Sequence, residues 1–359
     1  MKKFGLRLLG LVAFLMIIFN SCSKDNSSDN GPAPTTVAQD KENITNTFND
    51  FYSCLNTLDD GDFSSFLLYS LFNSTDQQYD DSYIRYLMDQ FELQYGAVVI
   101  EDKLQFDNRK GTYTWDQQSE TWTKVSNSSA VILKFPSRYN GTSNDGELTF
   151  SAYTDMSTMY DAIEYWLPTS ANLTLKRDGN LVFSLNLSNV TFDVGTNFSM
   201  PISANISVFT APFSHTFKWE RTSSTDFRLT YDSSTPNGCT TNSVTNIKLN
   251  DADYGNITSV KEDLRTVSGT LTEGNLKVVY AINVQSITAN ENPTPSQINN
   301  YSDAEVFYNN VKIGDLTYDE IEGQSEIFIT YSDGSRENID IYVGDFENQI
   351  NAIFSNYIN

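Results

Sequence analysis

Residues 171–187 read Ala-Asn-Leu-Thr-Leu-Lys-Arg-Asp-Gly-Asn-Leu-Val-Phe-Ser-Leu-Asn-Leu. Apolar and polar residues alternate in Ala171–Lys176 and again in Leu181–Leu187, which is the period-two pattern of strands with one apolar face. The intervening Asp178-Gly179 pair accepts the positive φ values that a tight hairpin turn requires. This stretch therefore predicts a β-hairpin, and its pattern recurs along most of the chain.

Similar alternating runs flank this hairpin on both sides, and short turn signals separate them. Such spacing favours hairpins and hence an antiparallel sheet. The predicted strands before residue 290 are Gly111–Asp116, Thr121–Val125, Ala130–Phe135, Glu147–Tyr153, Ile202–Phe209, His215–Glu220, Phe227–Tyr231, Ser243–Leu249, Val267–Thr272 and Leu276–Val284. Two further hairpins are predicted after residue 300, from Ala304–Tyr308 with Val311–Ile313 and from Glu326–Tyr331 with Glu337–Val343.

Helical periodicity precedes the sheet and returns after it. Apolar residues recur every three or four positions in Asp40–Leu58 and Tyr83–Tyr95, and Gly96 is placed to end the second helix. Asp345 is a suitable N-cap for an amphipathic C-terminal helix. We therefore expect an α+β fold: a mostly antiparallel meander, open or half-barrel-like, packed with N-terminal helices and a C-terminal helix.

The same patterns divide the chain into five segments. The last two are joined at the Pro-containing stretch Glu291–Ser296 and are expected to share one globule. The segments are a leader at 1–21, a flexible tether at 22–39, a helical segment at 40–96, a β region at 97–290, and two hairpins with a C-terminal helix at 300–359.

The N-terminus carries an export signal. Lys2 and Lys3 precede an apolar run at Leu8–Phe19, which is too short to span a bilayer, and Ser21-Cys22 follows. This arrangement resembles bacterial lipoproteins, and the polar Ser23–Asn30 resembles the export tag of Bacteroides and Flavobacterium surface lipoproteins. The resemblance implies that Cys22 is acylated, becomes the new N-terminus and anchors the protein at the outer membrane, on its cell-surface or periplasmic face.

Charge and cysteine content set further limits. The chain has 23 Lys and Arg against 46 Asp and Glu, a net charge of −23. Nucleic acid is excluded as a partner, because a chain this acidic has no surplus of cations to neutralise phosphates. Once Cys22 is acylated, Cys54 and Cys239 have one pairing available. Spacing alone leaves open whether they form a disulfide or stay as two buried thiols.

Motifs for catalysis and cofactors are sparse. The sequence has no Cys-x-x-Cys, His-Glu-x-x-His or Gly-x-Ser-x-Gly motif, and it contains one histidine. No catalytic residue and no firm cofactor is therefore assigned, and a non-enzymatic role is favoured. A weak calcium-loop pattern has oxygen-bearing residues at Asp251, Asp253, Asn256 and Glu262, and an ordinary acidic turn explains it better.

A second weak pattern is aromatic. If the Gly111–Lys124 hairpin turns between Gln118 and Ser119, Trp115 faces Trp122 and Tyr113 shares their side of the sheet. Exposed aromatic rings beside carboxylates suit glycan contact, whereas buried ones are core residues. The stretch Tyr160–Trp166 has a similar composition.

Three functions remain open from the sequence. The preferred one is a non-catalytic binding or structural envelope lipoprotein whose partner is a glycan, a hydrophobic ligand or another envelope protein. The first alternative is a carrier resembling half-barrel lipoprotein chaperones, which holds an acyl chain on an apolar concave face. The second is a glycan hydrolase that uses two of the 46 acidic residues.

Overall fold

The computed structural model describes residues 35–59, 61–64, 66, 83–138, 141–160, 163–194, 199–254 and 263–343. These residues divide into two compact units. Unit I contains those up to Asn56 and from Phe217 onward, and unit II contains those from Thr57 to Thr216.

Four α-helices and eighteen strands are defined among the described residues. The helices are α1 (Val37–Asp59), α2 (Tyr83–Tyr95), α3 (Val284–Thr288) and α4 (Pro295–Asn300). The strands of the first half are β1 (Val99–Ile100), β2 (Lys103–Leu104), β3 (Gly111–Asp116), β4 (Thr121–Ser126), β5 (Val131–Phe135), β6 (Gly146–Tyr160), β7 (Ile163–Arg177), β8 (Asn180–Val194) and β9 (Ser199–Thr210). Those of the second half are β10 (Phe213–Arg221), β11 (Asp226–Ser234), β12 (Thr240–Leu249), β13 (Leu264–Glu273), β14 (Leu276–Ile282), β15 (Ser302–Tyr308), β16 (Val311–Ile321), β17 (Gln324–Tyr331) and β18 (Arg336–Asn338).

In unit II the sheet runs β4-β3-β5-β6-β7-β8-β9. The neighbours are antiparallel except β3 and β5, which pair in parallel. The antiparallel expectation is corrected at this pair. Strand β4 occupies the edge, so the chain returns across the β3–β4 hairpin and lays β5 on the other side of β3, in the same direction.

Helix α2 covers one end of this sheet. Its Leu87 and Phe91 are 2% and 1% exposed and pack into a core cluster with Leu133 and Leu175 of the sheet. At the edge strand, Gln94 Oε1 accepts a hydrogen bond from the Trp122 backbone N–H at 2.7 Å. This contact occupies a backbone group that would otherwise be open to another strand.

The hairpin of β6 and β7 is longer than its sequence pattern predicts. Pairing continues from Tyr153 opposite Ala171 out to Tyr160 opposite Ile163. Register shifts near Ser151 and Thr169 place one extra residue in each strand. Such bulges break strict alternation, so the pattern stops being readable where the strands continue.

In unit I the strands β11 to β18 form an antiparallel meander in sequence order. Two short helices connect β14 to β15 and cover the sheet, with Ile287 of α3 0% exposed and Ile298 of α4 5% exposed. Helix α4 begins with a capping box, in which Thr294 and Gln297 each bond the other's backbone N–H.

Two predicted strands in unit I are corrected at their ends. The strand predicted over Leu276–Val284 ends at Ile282, because Asn283 caps helix α3 by accepting from the Ser286 N–H. The strand predicted over Glu337–Val343 ends at Asn338, whose side chain accepts from the Asp340 N–H at 2.9 Å and starts a helical turn. The predicted helix after Asp345 lies outside the described residues.

Helix α1 is held on the last strands of unit I by a polar cluster. Lys41 Nζ donates to Glu337 Oε1 at 2.5 Å, and the Tyr342 hydroxyl donates to Glu337 Oε2 at 2.8 Å. The hydroxyls of Tyr331 and Tyr342 lie 2.6 Å apart. Burial by itself would raise the pKa of Glu337, but the Lys41 ammonium and the two tyrosine hydroxyls outweigh it and hold that pKa below its usual range.

Candidate ligand site

The three aromatic residues predicted for glycan contact lie in the core of unit II. Trp115 and Trp122 do pair across the β3–β4 ladder, with ring centroids 5.4 Å apart. However, Tyr113, Trp115 and Trp122 are only 2%, 3% and 4% exposed beneath α2. Trp122 Nε1 donates to the Leu87 carbonyl at 2.9 Å. Rings packed in this way offer no face to a sugar, so the expectation at these positions is corrected.

Cys54 and Cys239 form a disulfide in unit I, with Cα atoms 6.3 Å apart. The bond links α1 to the turn before β12, and both residues are buried. In that turn the Cys239 backbone N–H donates to Thr235 Oγ1 at 3.1 Å. The disulfide is therefore an internal staple of one unit.

The other predicted site residues are only partly described. Asp251 Oδ1 accepts from the Asp253 N–H at 2.9 Å, as in an ordinary Asx turn, whereas Asn256 and Glu262 lie outside the described residues. Within the described ranges, no three His, Cys, Asp or Glu side chains are grouped to hold a metal ion. Cys22 also lies outside them. None of the helices described has the length and apolar character needed to cross a bilayer.

A small hairpin of unit II, residues 98–106, is here called the flap. Its turn residues Glu101 and Asp102 have φ of +50° and +59°, values that glycine or asparagine adopts at lower cost. Strands β1 and β2 leave Val99 and Ile100 about half exposed, at 50% and 49%. Phe106, in contrast, is 7% exposed and fixes the base of the flap.

The flap lies over aromatic residues of β6 and β7. The ring of Phe106 is 4.9 Å from that of Phe150 and 6.3 Å from that of Tyr153. Lys103 Nζ lies 3.4 Å from the ring centroid of Trp166, a close cation–π contact. The flap therefore places an ammonium group on a half-buried indole of the sheet.

An acidic residue lies on the same face. Asp155 follows Tyr153 by two positions and pairs with Pro168, two residues from Trp166. Its Oδ2 atom is buried and has no hydrogen-bond partner among the described residues. Burial, and then the charge of Asp155, raise the pKa of Tyr153. The face thus combines aromatic rings with the Lys103 ammonium and the Asp155 carboxylate, and Glu164 lies on the same face of β7, two residues from Trp166.

Beyond the flap, the same face continues as an apolar surface, here called the shelf. It consists of two rows across three strands. One row pairs Leu173 with Leu185 and Leu185 with Val208, and the other pairs Ala171 with Leu187 and Leu187 with Ile206. Phe150 and Tyr153 extend these rows onto β6. All six shelf residues are half-buried, and β9 contains no fully buried residue.

The opposite face of these strands is polar. Asn172 pairs with Asn186, and Asn186 with Ser207. The Ser151 hydroxyl donates to Asn172 Oδ1 at 2.7 Å. The sheet here is therefore two-sided, with neutral polar groups on one face and the aliphatic groups of the shelf on the other.

The sequence indicated parts of this site but did not assemble them. Alternation in Ala171–Leu187 and Ile202–Phe209 predicted the apolar face, and Trp166 lies in the second aromatic stretch. Lys103, Tyr153 and Asp155 were not singled out, because no motif links them and only strand register brings them to one face.

Two buried acidic residues of unit I are hydrogen-bonded within the protein, unlike the half-buried aliphatic residues of the shelf. Among the described acidic residues of unit I, Asp40 and Glu273 are buried, at 2% and 1% exposed. Asp40 accepts a hydrogen bond from the Thr35 hydroxyl, and Glu273 accepts one from Thr241 at 2.9 Å.

Comparison with protein-family models, with curated proteins and with solved structures finds no match to this chain.

Proposed function

We propose that this chain is a membrane-anchored envelope lipoprotein that binds a partner or ligand without catalysing a reaction, and that the shelf is its binding surface. The single observation that carries the proposal is the pair of aliphatic rows on β7, β8 and β9, which remain half-buried within their own unit. Contiguous apolar surface of this kind is typical of interaction sites.

The anchoring part of the proposal comes from the N-terminal sequence. An acylated Cys22 would hold the protein at the outer membrane, on the cell surface or the periplasmic side. Two or three acyl chains suffice for stable anchoring, since each buried methylene contributes about 0.8 kcal/mol. The tether between Cys22 and α1 would leave the folded residues outside the bilayer.

A second candidate function is that of a carrier for an acyl chain or a similar hydrophobic ligand. The observation that favours it is the composition of the shelf, whose six residues are one alanine and five leucine, isoleucine or valine residues. A protein partner more often meets aromatic and arginine anchors at the centre of its interface. The carrier is therefore a specific form of the binding role.

The binding role is tested with a fluorescent apolar probe, anilinonaphthalene sulfonate, on the exported protein carrying Cys22→Ala. The double variant Leu185→Asn and Leu187→Asn should weaken probe binding roughly tenfold, since the two changes to half-buried side chains together remove about 1.4 kcal/mol of apolar contact. The matched control is Leu181→Asn, an exposed leucine on the same strand but off the shelf. Equal loss in the control, or no loss in the double variant, contradicts the proposal.

The anchor is tested separately by protease accessibility of intact cells. Wild-type protein should stay with the membrane fraction, and Cys22→Ala protein should be released from it. Digestion of the wild type on intact cells would identify the cell surface, and protection until the outer membrane is permeabilised would identify the periplasmic face. Retention of the variant in membranes would contradict anchoring through Cys22.

A further inference from the structure

We propose that the ligand of the shelf is a long-chain fatty acid, with its carboxylate at Lys103 and its chain extending from there across the shelf. The inference rests on the proposed binding function and adds the chemical class and orientation of the ligand. Its basis is one arrangement on a single face of unit II: the flap holds a cation over Trp166, and the shelf begins five residues farther along β7, at Ala171.

The Lys103 ammonium, at one end of the proposed site, favours a ligand with an anionic head group. Lys103 Nζ lies over Trp166, and within the described residues no carboxylate is within ion-pair distance of it. An ammonium held against an indole keeps N–H donors for an incoming anion. Hydrogen bonds to charged groups are the strong ones, so a carboxylate gains more here than a neutral head group.

The shape of the shelf selects an extended chain. From β6 to β9 each row crosses three strand spacings of ~4.8 Å, or about 14 Å in all. The rows are one residue deep and lined by aliphatic side chains, with Phe150 and Tyr153 between the shelf and the flap. A straight acyl chain matches such a strip.

The overall charge argues against a second copy of this chain as the occupant. Two molecules with a net charge of −23 each repel one another, and a strongly acidic protein is also repelled by anionic membrane surfaces. A single monovalent amphiphile faces much weaker repulsion, because it carries one charge and that charge meets Lys103 locally. Asp155 is a carboxylate on the same face and should repel an anionic head group. Removing its charge therefore gives the proposal a second test.

The experiment compares palmitate with hexadecanol and hexadecyltrimethylammonium, each below its micelle concentration, by titration calorimetry. The exported Cys22→Ala protein is the reference. Lys103→Met should weaken palmitate binding roughly ten- to hundredfold, as loss of a charged hydrogen bond does, and leave hexadecanol binding unchanged. Asp155→Asn should strengthen palmitate binding and weaken binding of the cationic amphiphile.

Lys176→Met is the matched control, because Lys176 follows the core residue Leu175 and is carried on the other face of β7. It should alter binding of none of the three compounds. Unchanged hexadecanol binding also reports that each variant remains folded.

Each other outcome has a defined meaning. Equal affinity of Lys103→Met and the reference for palmitate overturns the fatty-acid proposal, while hexadecanol binding to the shelf still supports the binding function. Tighter binding of hexadecyltrimethylammonium than of palmitate also overturns the fatty-acid proposal, because the site would then favour a cationic head group. Absence of binding by all three compounds, together with absence of the fluorescent probe from the shelf, overturns the binding function itself.

Discussion

Strands β14 and β9 each have apolar residues at alternate positions, but these residues are buried to different extents. In β14 the residues alternate between buried and less buried, with Leu276, Val278, Tyr280 and Ile282 all buried. In β9 no residue is buried, although Ala204, Ile206 and Val208 alternate with polar residues. Apolar residues at alternate positions of a strand thus form a covered face in unit I and a partly exposed face in unit II.

The difference arises from what the chain inserts between strands. Helices α3 and α4 lie between β14 and β15, and Ile287 and Ile298 complete the apolar cluster on that face. Strands β7, β8 and β9 are joined by connections of a few residues, which are too short to cover their own sheet. The apolar face without such an insert is half-buried, and this partial exposure is the physical basis of the proposed site.

The largest expected effect concerns the staple that only unit I possesses. The Cys54–Cys239 disulfide closes 185 residues, and the chain-entropy model assigns such a loop about 5 kcal/mol. The double variant Cys54→Ser and Cys239→Ser should therefore lower the free energy of unfolding by several kcal/mol, measured by denaturant titration.

Unit II contains no cysteine between Thr57 and Thr216 and lies inside the loop that the disulfide closes, so its own native contacts should keep their protection while those of unit I lose it. Hydrogen exchange at β7 and β8 amides in the same variant provides the control. Equal loss of protection in both units would show that the staple stabilises the whole chain, and the contrast between them would then weaken.

The second prediction compares one leucine with one isoleucine. Ile287→Ala removes a 0% exposed side chain from the covered face, so it should cost about 2–5 kcal/mol. Leu185→Ala removes a half-buried side chain from the shelf and should cost less than ~1.5 kcal/mol, since little cavity forms. Both are read from chemical unfolding curves. A cost for Leu185→Ala that equals that of Ile287→Ala would mean that the shelf is packed as core.

Much of the sheet could be predicted because alternation and turn residues are local. The Asp178-Gly179 turn is a clear case, since both residues have positive φ as predicted and join β7 to β8. The pairing of Trp115 with Trp122 also followed from the centre of one turn. Their burial did not follow, because it depends on α2, whose docking position is set by long-range packing.

Other features depend on tertiary contacts from the start. Pro293 and Pro295 indicate a break in the sequence, and the structure uses Pro295 to begin α4 between two strands that pair directly. Lys103 carries no signal of its own, and its role arises only because the flap lays it on Trp166, 63 positions later in the sequence numbering. Bulges likewise hid the outer half of β6 and β7.

The third prediction has the smallest expected effect. It tests whether the polar contacts of Glu337 help to hold α1 on the sheet of unit I, as apolar contacts hold α3 and α4. Glu337 has a lowered pKa in the folded state, because its contacts with Lys41 and the two tyrosines outweigh burial. Its contribution is therefore present above the unfolded pKa of about 4.3 and is lost as pH falls through the folded value. Glu337→Gln should cost about 1 kcal/mol at neutral pH, since the pair is partly exposed and screened.

The difference between wild type and Glu337→Gln should shrink in acid, and unfolding curves at neutral and acidic pH measure it. Glu326→Gln is a suitable control, because Glu326 accepts from Asn338 on the same pair of strands but contacts neither Lys41 nor the tyrosines. A difference that grows in acid would reverse the sign of the linkage. In that case α1 would be held by its buried aromatic residues and by the Cys54–Cys239 disulfide, with no net contribution from the Glu337 contacts.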